Sequence, residues 1–458
     1  MVGAGPSGVY VAEALTRQAA DSGLDVSVAV LDRLPVPFGL VRYGVAPDHP
    51  SIRSIRSTLE RTLDAPGVTF YGDVHIGRDL TVDELRASVD AVVYAYGAAS
   101  DRRLGIVGED LPGSVAAPEL VTWYTGHPDV HPDDGGVAPG HPSVPALLSS
   151  AREVVVVGAG NVALDVVRVL VRDVDELATT DMADEVLDAL RARGVRDVHL
   201  LARRGPAYTA FTTKELRELG DLADLDLVLD PADLVLDESS SLVAEQDKVA
   251  ARNLAVLAEW AGRPETGATH RLHLHFWTSP LAFLGSERVT GVEVTRSAVG
   301  ADGSVHPVGE PWTIPAQLVI PAVGYRGLPL PGAPYDESTG RIPHAEGRVI
   351  RDGAFSPGEY VTGWIKRGPV GVIGTNKSDA AETVVSLLED IDAGVLAPAG
   401  RADALPALLA ERGLHPLGMA AWHRIDGAER ARGVEHGRLR TTLAHRSELL
   451  EAAEHREA

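Results

Sequence analysis

Cysteine does not occur in this sequence of 458 residues. Its absence excludes a disulfide framework, a cysteine-ligated iron–sulfur cluster and a redox-active dithiol within the chain. Any redox chemistry would therefore depend on a bound organic cofactor. The histidines of the polar segment 125–145 (His127, His131 and His141) are irregularly spaced and have no acidic or cysteine partner at ligand spacing. We therefore expect no metal site.

Positive charge and long apolar runs are also scarce. The formal net charge is −23, so we expect no nucleic acid partner. No apolar run is long enough to cross a bilayer, and we expect no membrane association. No secretory or transit peptide is visible, because a glycine motif already begins at residue 3, and we expect a cytoplasmic protein. The length leaves room for two or three domains.

A valine-rich strand, a glycine turn and an apolar helix follow one another near the middle of the chain. Residues 153–157 read Glu-Val-Val-Val-Val, and four consecutive valines are typical of a strand buried on both faces. Gly158 and Gly160 form the turn, and Ala163 takes the place of a third glycine, which the dinucleotide-binding fingerprint allows. The pattern predicts a βαβ unit that binds a pyrophosphate. The alternative for one isolated motif is a tight turn without a ligand.

A second copy of the motif begins the chain. Residues 3–8 read Gly-Ala-Gly-Pro-Ser-Gly, and an amphipathic helix and a strand lead to Asp32. An acid at this position is placed to accept hydrogen bonds from a ribose hydroxyl, and the alternative is a turn residue. Two copies predict two bound dinucleotides. Only Met1 and Val2 precede the first glycine, so the first strand is nearly absent. We expect either that the natural start lies upstream or that the protein is damaged at this edge.

Three further segments predict parts of these sites. Residues 34–50 contain four prolines and two glycines, which predicts an ordered, non-helical and functional loop. Residues 91–98 predict a buried strand that closes the first nucleotide unit. Residues 360–376 predict a strand and a glycine-rich loop before a helix that begins near Asp379, whose amides suit an anion or an electron-rich ring edge. From about Ala402 the chain reads as helices of mixed polarity, without a chemical motif.

Two arginines indicate which nucleotide the central unit binds. Arg203 and Arg204 follow the strand predicted at residues 198–202, where a Rossmann unit places the residue that contacts the adenosine ribose. An acid there favours NAD, whereas a guanidinium binds the 2′-phosphate of NADP in a bidentate manner. The position favours NADP over the alternative of two surface arginines.

Five of these strings together resemble one family, the ferredoxin–NADP reductases of the adrenodoxin-reductase type. The strings are residues 3–8, 37–50, 160–165, 203–206 and 363–369. The resemblance extends over almost the whole chain. The second and fifth strings are the most specific, because the glycine motifs occur in many flavoproteins.

The resemblance implies an α/β fold with two Rossmann-like dinucleotide-binding domains, similar to glutathione reductase. An NADP domain at residues 102–324 would be inserted in an FAD domain made of residues 1–101 and 325–458, the latter ending in helices. The activity implied is that of a ferredoxin–NADP(+) reductase. Electrons would pass from NADPH through FAD, one at a time, to a ferredoxin-type iron–sulfur protein. The cofactor would carry the chemistry and the protein would position it.

The resemblance also implies site residues. Those for FAD are Gly3, Gly5, Ser7, Gly8, Asp32, Leu40, Val74, Trp364, Gly371, Val372 and Ile373. Those for NADP(H) are Arg102, Asn161, Val162, Ala163, Leu164, Arg203, Arg204, Glu215 and Gly371. His49 and Glu218 match residues with roles in proton handling or flavin tuning, although a backbone-capping role explains His49 equally well. Asp32 departs from the family, in which a longer Glu is common.

Two other functions stay open on the glycine motifs alone. One is another NADPH-dependent flavoprotein with two dinucleotides, either a monooxygenase or a reductase subunit. The other is a non-catalytic NADP-sensing module whose first site binds nothing. We expect a monomer or a weak dimer.

A ferredoxin partner requires a basic docking face, because ferredoxins are usually acidic. Ten residues are candidates for it: Arg42, Arg53, Arg56, Arg61, Arg203, Arg204, Lys214, Arg217, Lys366 and Arg367. We expect charge reversal at Arg53 and Arg56 to slow ferredoxin reduction and to leave ferricyanide reduction unchanged.

Overall fold

The structure, a computed structural model, describes residues 1–131, 142–300, 302–396 and 402–455, so His141 lies outside the described residues. The chain separates into two compact units. The first unit consists of Met1–Ser100 and Gly324–Ala458, and the second of Asp101–Val323. Each boundary lies one residue before the position expected from the sequence.

The sheet of the first unit has the start of the chain at its centre. Val2 forms parallel bridges to Leu31 on one side and to Tyr94 on the other. The Val2 amide donates to the Val93 carbonyl at 2.9 Å, and the Gly3 amide donates to the Leu31 carbonyl at 2.8 Å. As expected, the first strand is nearly absent, since it is reduced to these isolated bridges of Val2. Val2 and its neighbours are enough to occupy the central position.

Parallel strands extend this sheet in both directions. Val28–Leu31 pairs with Val68–Tyr71, and Val92–Tyr94 pairs with Ala354–Val361. An antiparallel ribbon continues from Ala354–Val361 through Arg348–Arg351 to His344–Ala345. The second half of the unit thus completes a sheet that the first half begins.

Helices cover this sheet. The Pro6–Asp21 helix begins with proline at its first position and ends before Gly23, which has a φ of 71°. Its apolar side chains join one buried cluster with those of the Thr375–Asp392 and Met419–Glu435 helices. The other helices of the unit are Leu40–Tyr43, Pro50–Arg53, Arg56–Leu63, Val82–Ser88, Trp364–Arg367, Ala404–Glu411 and Arg446–Glu454. Short strands Ser100–Asp101 and Tyr325–Arg326 lie where the chain leaves and re-enters the unit.

The second unit is built on a fully parallel five-stranded sheet. Its strands lie in the order Leu318–Pro321, Glu153–Val157, Asp197–Leu201, His270–His275 and Leu225–Leu229. The valines of Glu153–Val157 are buried, as expected for a strand covered on both faces. This sheet and its crossover helices confirm the predicted dinucleotide-binding α/β fold.

Helices and an antiparallel three-stranded sheet surround these strands. That sheet consists of Thr278–Leu284, Gly291–Val299 and Val305–Pro315. The helices are Ala117–Tyr124, Val144–Ser150, Asn161–Val171, Val174–Leu177, Asp184–Arg191, Thr213–Gly220, Glu238–Gln246 and Lys248–Ala261, with 3₁₀ turns at Pro206–Tyr208 and Pro231–Leu234. Within the described residues, no helix is both long and apolar enough to span a membrane.

Candidate functional site

Each unit places its glycine motif at the point where the strand order reverses. In the second unit, Glu153–Val157 lies between Asp197–Leu201, which follows it in the chain, and Leu318–Pro321, which comes last. In the first unit Val2 has the same position between Leu31 and Tyr94. Open α/β sheets bind ligands at the carboxyl ends of the strands at such a point. The topology therefore supports one nucleotide site in each unit.

The first glycine motif is packed too closely for larger residues. Gly3 has a φ of 111°, and a Cβ built on Gly8 would overlap the Gly3 carbonyl oxygen. The N-cap of the following helix is Gly5, which supplies no side-chain acceptor for the first helical amides. Those amides suit an anionic ligand, so this turn fits the pyrophosphate of a dinucleotide.

Asp32 is fixed by the backbone around it. Its Oδ2 accepts from the Ala4 amide at 2.8 Å, and its Oδ1 accepts from the Leu34 amide at 3.0 Å. Burial raises the pKa of Asp32, while these amides act in the opposite direction. Each oxygen retains a second lone pair that can accept from a ribose hydroxyl. The amide of Val74, a buried core residue, donates to the Asp32 carbonyl at 2.9 Å.

The 34–50 loop contacts the first glycine motif through its backbone. The Phe38 amide donates to the Ala4 carbonyl at 2.9 Å, and Phe38 has a φ of 88°. The Leu40–Tyr43 segment forms one helical turn, so the prediction of a non-helical loop is wrong there. The turn follows Gly39, whose φ of 49° redirects the chain. His49 is buried and precedes the Pro50–Arg53 turn as its N-cap.

A buried carboxylate organises the loop that begins at Gly363. Asp379 accepts from Lys366 Nζ at 2.9 Å, from Arg367 Nη1 at 2.7 Å and from the Gly363 amide at 2.5 Å. Burial would raise the pKa of the Asp379 carboxyl, but these cations and the amide outweigh it and lower the pKa. The helix that contains Asp379 begins at Thr375, four residues earlier than predicted.

Asn376 connects this loop to the first glycine motif. Its Oδ1 accepts from Ser7 Oγ at 2.9 Å and from Arg367 Nη2 at 2.7 Å, and its Nδ2 donates to the Ile373 carbonyl at 3.1 Å. Sequence reasoning identified Ser7 and Ile373 but assigned no role to Asn376, although Asn376 ends the glycine-rich segment 360–376. The other predicted flavin contacts of the segment are half-buried or exposed: Trp364, Gly371 and Val372.

The second glycine motif has the same construction. Gly158 has a φ of 143°, and a Cβ there would overlap the Ala322 carbonyl. A Cβ on Gly160, the N-cap of the Asn161–Val171 helix, would meet no atom of the described residues within 4 Å. The first helical amides can therefore be approached closely at Gly160, which fits a second pyrophosphate.

The four residues predicted to bind NADP in this helix differ in accessibility. Asn161 and Val162 are half-buried, and Asn161 Oδ1 accepts from the Thr212 amide at 2.8 Å. Ala163 and Leu164 are fully buried. The Leu164 amide already donates to the Gly160 carbonyl at 3.2 Å, so the contacts of these two residues with NADP stay predictions.

Arg203 and Arg204 follow the Asp197–Leu201 strand at the carboxyl edge of the sheet, as predicted. Arg203 is exposed, and its carbonyl accepts from Ser297 Oγ at 2.8 Å, which fixes the backbone. The Arg204 guanidinium donates to the Gly303 carbonyl at 2.9 Å and lies 5.7 Å from the centre of the Tyr208 ring. Arg203 is therefore the more accessible of the two cations. Arg102, also predicted for NADP, is exposed.

Glu215 and Glu218 surround a buried arginine. Arg168 Nη1 donates to Glu215 at 3.1 Å and lies 3.8 Å from Glu218, while Nη2 donates to Asp165 at 2.7 Å. Glu218 also lies 3.5 Å from Lys214 Nζ. These contacts give both carboxylates a structural role, and their predicted roles near the cofactors stay predictions.

Two candidates for the basic docking face are wrong. Arg42 is 1% exposed and paired with Glu429, and Lys366 is 3% exposed and paired with Asp379. A buried, paired cation cannot contribute to a surface that attracts an acidic protein.

Comparison with known proteins identifies relatives that match the chain from end to end. No family model matches it. It is 45% identical over 467 aligned positions to NADPH-ferredoxin reductase FprA of Mycobacterium tuberculosis, covering 98% of this chain and 97% of that protein. It is 37% identical over 470 positions to mitochondrial NADPH:adrenodoxin oxidoreductase of Mus musculus, covering 99% and 91%.

A solved structure gives the same result. The structure of Mycobacterium tuberculosis FprA in complex with NADPH matches with a TM-score of 0.90 at 44% identity, covering 99% of this chain and 98% of that one. The chain belongs to the ferredoxin–NADP reductases of the adrenodoxin-reductase type.

Proposed function

We propose that this protein is an FAD-dependent NADPH:ferredoxin oxidoreductase, which passes electrons from NADPH one at a time to a ferredoxin-type iron–sulfur protein. The observation that carries the proposal is the 45% identity over 98% of the chain to an NADPH-ferredoxin reductase. FAD, when bound, accepts electrons in a pair and releases them singly. We also propose that the protein is cytoplasmic and is a monomer or a weak dimer.

The residues of the first unit would bind and orient FAD. The helix amides after Gly5 would bind its pyrophosphate, and Asp32 would accept from its ribose. Asn376 would hold the segment around Ile373 in a fixed position relative to Ser7, because it is hydrogen-bonded to both residues. The side chains that would orient the cofactor are thus themselves held by hydrogen bonds within the protein.

The residues of the second unit would bind NADPH. The amides after Gly160 would bind the pyrophosphate, and Arg203 would bind the 2′-phosphate. Because these groups lie at the carboxyl edge of one sheet, a single nucleotide can reach both. The resulting preference for NADPH over NADH is a direct consequence of the exposed guanidinium.

Cytochrome c reduction tests the proposed function. The purified protein is assayed with NADPH or NADH, with and without an added ferredoxin. We expect ferredoxin to stimulate the rate strongly and NADPH to be preferred. A yellow protein that oxidises NADPH without stimulation by ferredoxin would instead be another flavoprotein. A colourless protein that binds NADPH would instead be a sensing module.

We further propose that exposed cations of the second unit contribute to ferredoxin docking. Six residues line a groove of about 450 Å³: Thr213, Lys214, Arg217, Glu218, Asp221 and Arg252. Lys214 and Arg217 are exposed. By contrast, Arg53 donates to the Arg42 carbonyl at 3.0 Å, so charge reversal there would also disturb the 34–50 loop.

The double variant Lys214→Glu, Arg217→Glu tests this surface. We expect ferredoxin reduction to slow at least tenfold at low ionic strength, because electrostatic steering is lost, while ferricyanide reduction by NADPH is unchanged. The double variant Arg196→Glu, Arg288→Glu, at two exposed arginines outside the candidate set, is the charge-matched control. Equal losses with both acceptors would contradict a docking role.

A further inference from the structure

A loop of the first unit supports the predicted FAD site from one side. Gly39 in the loop approaches the first glycine motif so closely that a Cβ on it would lie 3.1 Å from Gly5 Cα. The Phe38 amide donates to Ala4 in the same motif. The position of this loop therefore determines the shape of the turn that would bind the pyrophosphate.

The loop is joined to the C-terminal helices by a buried ion pair. Arg42 and Glu429, 1% and 0% exposed, pair through the two terminal guanidinium nitrogens, with Arg42 Nη1 at 3.1 Å from Glu429 Oε2. Glu429 also accepts from Arg440 Nη1 at 2.6 Å and from the Leu443 amide at 3.0 Å. Asp426 pairs with Arg440 as well and, at 2.6 Å, with the exposed Arg430, so only the buried part of the network has two carboxylates and two guanidiniums.

The electrostatics of this network favour the charged forms. Burial would raise the pKa of the Glu429 carboxyl, but Arg42, Arg440 and the Leu443 amide outweigh it and lower the pKa to about 2. The Arg42 pKa is raised, because Glu429 outweighs the effect of burial. Both groups are therefore ionised at neutral pH.

The same helix holds the loop at a second point. Trp422 is fully buried, and its ring meets the Phe38 ring edge-on with centroids 5.2 Å apart. The Arg42 guanidinium lies 5.6 Å from the centre of the Trp422 ring. Trp422 and Glu429 are seven residues apart and thus lie on one face of the Met419–Glu435 helix.

Burial of an ion pair in a protein core carries a large desolvation free energy. Desolvation of two charges often exceeds their attraction, and apolar residues of similar size commonly give equal or greater stability. What the Arg42–Glu429 pair adds is geometry, because a planar guanidinium and a carboxylate bind in one bidentate arrangement. The backbone of the loop is held at Arg42, three residues after Gly39, by this arrangement.

We infer that the Met419–Glu435 helix is a positioning element for the FAD site, with Glu429 as a positioning residue that acts through Arg42 on the 34–50 loop. The inference rests on the proposed binding of FAD by the first unit. It assigns a role in cofactor binding to a part of the chain that carries no nucleotide-binding motif.

Glu429→Gln tests the inference, because glutamine keeps the size of the side chain and removes its charge. We expect the dissociation constant for FAD to rise at least tenfold and the visible circular dichroism of bound FAD to change. The KM for NADPH should stay within twofold, since the second unit binds it. Arg42→Lys, which keeps the positive charge but not the bidentate pairing of the guanidinium, should show the same effects to a lesser degree.

Glu448→Gln is the matched control. Glu448 pairs with Arg432 at 2.8 Å, between the same helix and the Arg446–Glu454 helix, and its side chain is 32% exposed. This variant should bind FAD as the wild type does. The inference is overturned if Glu429→Gln folds and retains the wild-type affinity and circular dichroism, or if Glu448→Gln loses as much affinity.

Hydrogen exchange on the wild-type protein keeps the inference testable if Glu429→Gln does not fold. Adding FAD to FAD-depleted protein should slow exchange in residues 34–50 and also in residues 419–435. Protection limited to residues 34–50 would overturn the inference. A wild type that binds FAD but does not reduce ferredoxin would refute the proposed function alone, whereas failure to bind FAD would refute both.

Discussion

Replacing Arg203 by alanine should change the choice between the two nicotinamide coenzymes rather than the activity in general. The Arg203 side chain is exposed at the carboxyl edge of the sheet, and its backbone is fixed by Ser297. The replacement therefore leaves the fold intact. NADH lacks the 2′-phosphate, so only NADPH should lose an interaction.

The magnitude follows from the contact that is removed. Hydrogen bonds to charged groups contribute about 1.5–3 kcal/mol, and every 1.4 kcal/mol corresponds to about tenfold. We expect kcat/KM for NADPH to fall by roughly 10- to 100-fold and that for NADH to change less than about twofold. Because the guanidinium is exposed, the loss should be smaller at high ionic strength. The Arg204 guanidinium also contacts the Gly303 carbonyl and the Tyr208 ring, so replacing Arg204 should perturb the structure around these two residues as well.

Ferricyanide reduction with each coenzyme, at low and at high salt, measures this effect. Arg196→Ala is the control, because Arg196 is an exposed arginine at the opposite end of the same strand. It should leave both coenzymes unaffected. The reasoning is refuted if Arg203→Ala lowers kcat/KM equally for NADPH and NADH, or if the control reproduces the change in preference.

Substitutions at three further positions (Gly363, Gly160 and Glu429) and at one control position (Gly353) give distinct expected outcomes. Gly363→Ala should cost at least about 2 kcal/mol of stability and lower the FAD content, because Gly363 has a φ of 76° and a Cβ would overlap Ser7. Gly353→Ala is the control, because Gly353 has a φ of 79° but lies in open space among the described residues; it should cost only about 1 kcal/mol of stability and leave the FAD content unchanged. Urea titrations measure the stability of both variants, and flavin spectra measure their FAD content. Gly160→Ala should leave the melting temperature unchanged and weaken NADPH binding by about tenfold or more, measured by calorimetry, since the helix amides become less accessible; unchanged affinity would place the pyrophosphate elsewhere. The pKa of Glu429 in the folded protein, about 2, lies below the ordinary 4.5, so ionisation of this carboxyl stabilises the folded state by about 3 kcal/mol at pH 7 and by about 1 kcal/mol at pH 3. The difference in unfolding free energy between wild type and Glu429→Gln should therefore decrease from pH 7 to pH 3. A difference that does not change with pH would contradict this expectation.

The sequence predicted what depends on local pattern. The valine strand at 153–157, both glycine turns and the position of Arg203 after its strand are confirmed, because each follows from period, turn chemistry or order along the chain. The family was identified from short strings that share this local character.

Long-range contacts could not be predicted in this way. Glu429 pairs with Arg42 over a separation of 387 residues, and Ser7 bonds to Asn376 over 369 residues. No local pattern distinguishes Glu429 from the other charged residues of a mixed-polarity helix. Arg42 was wrongly expected at the surface for the same reason, since its burial depends on a partner that only the fold brings near.

The central place of Val2 has a consequence for how the protein is made on the ribosome. The sheet around Val2 is completed by Ala354–Val361, and Tyr94 bonds to Glu359 across 265 residues. The second unit, in contrast, is continuous in the chain and can close its own sheet as soon as Leu318–Pro321 has emerged. The amino-terminal part is therefore synthesised first, but it can complete its sheet only after Ala354–Val361 has been made.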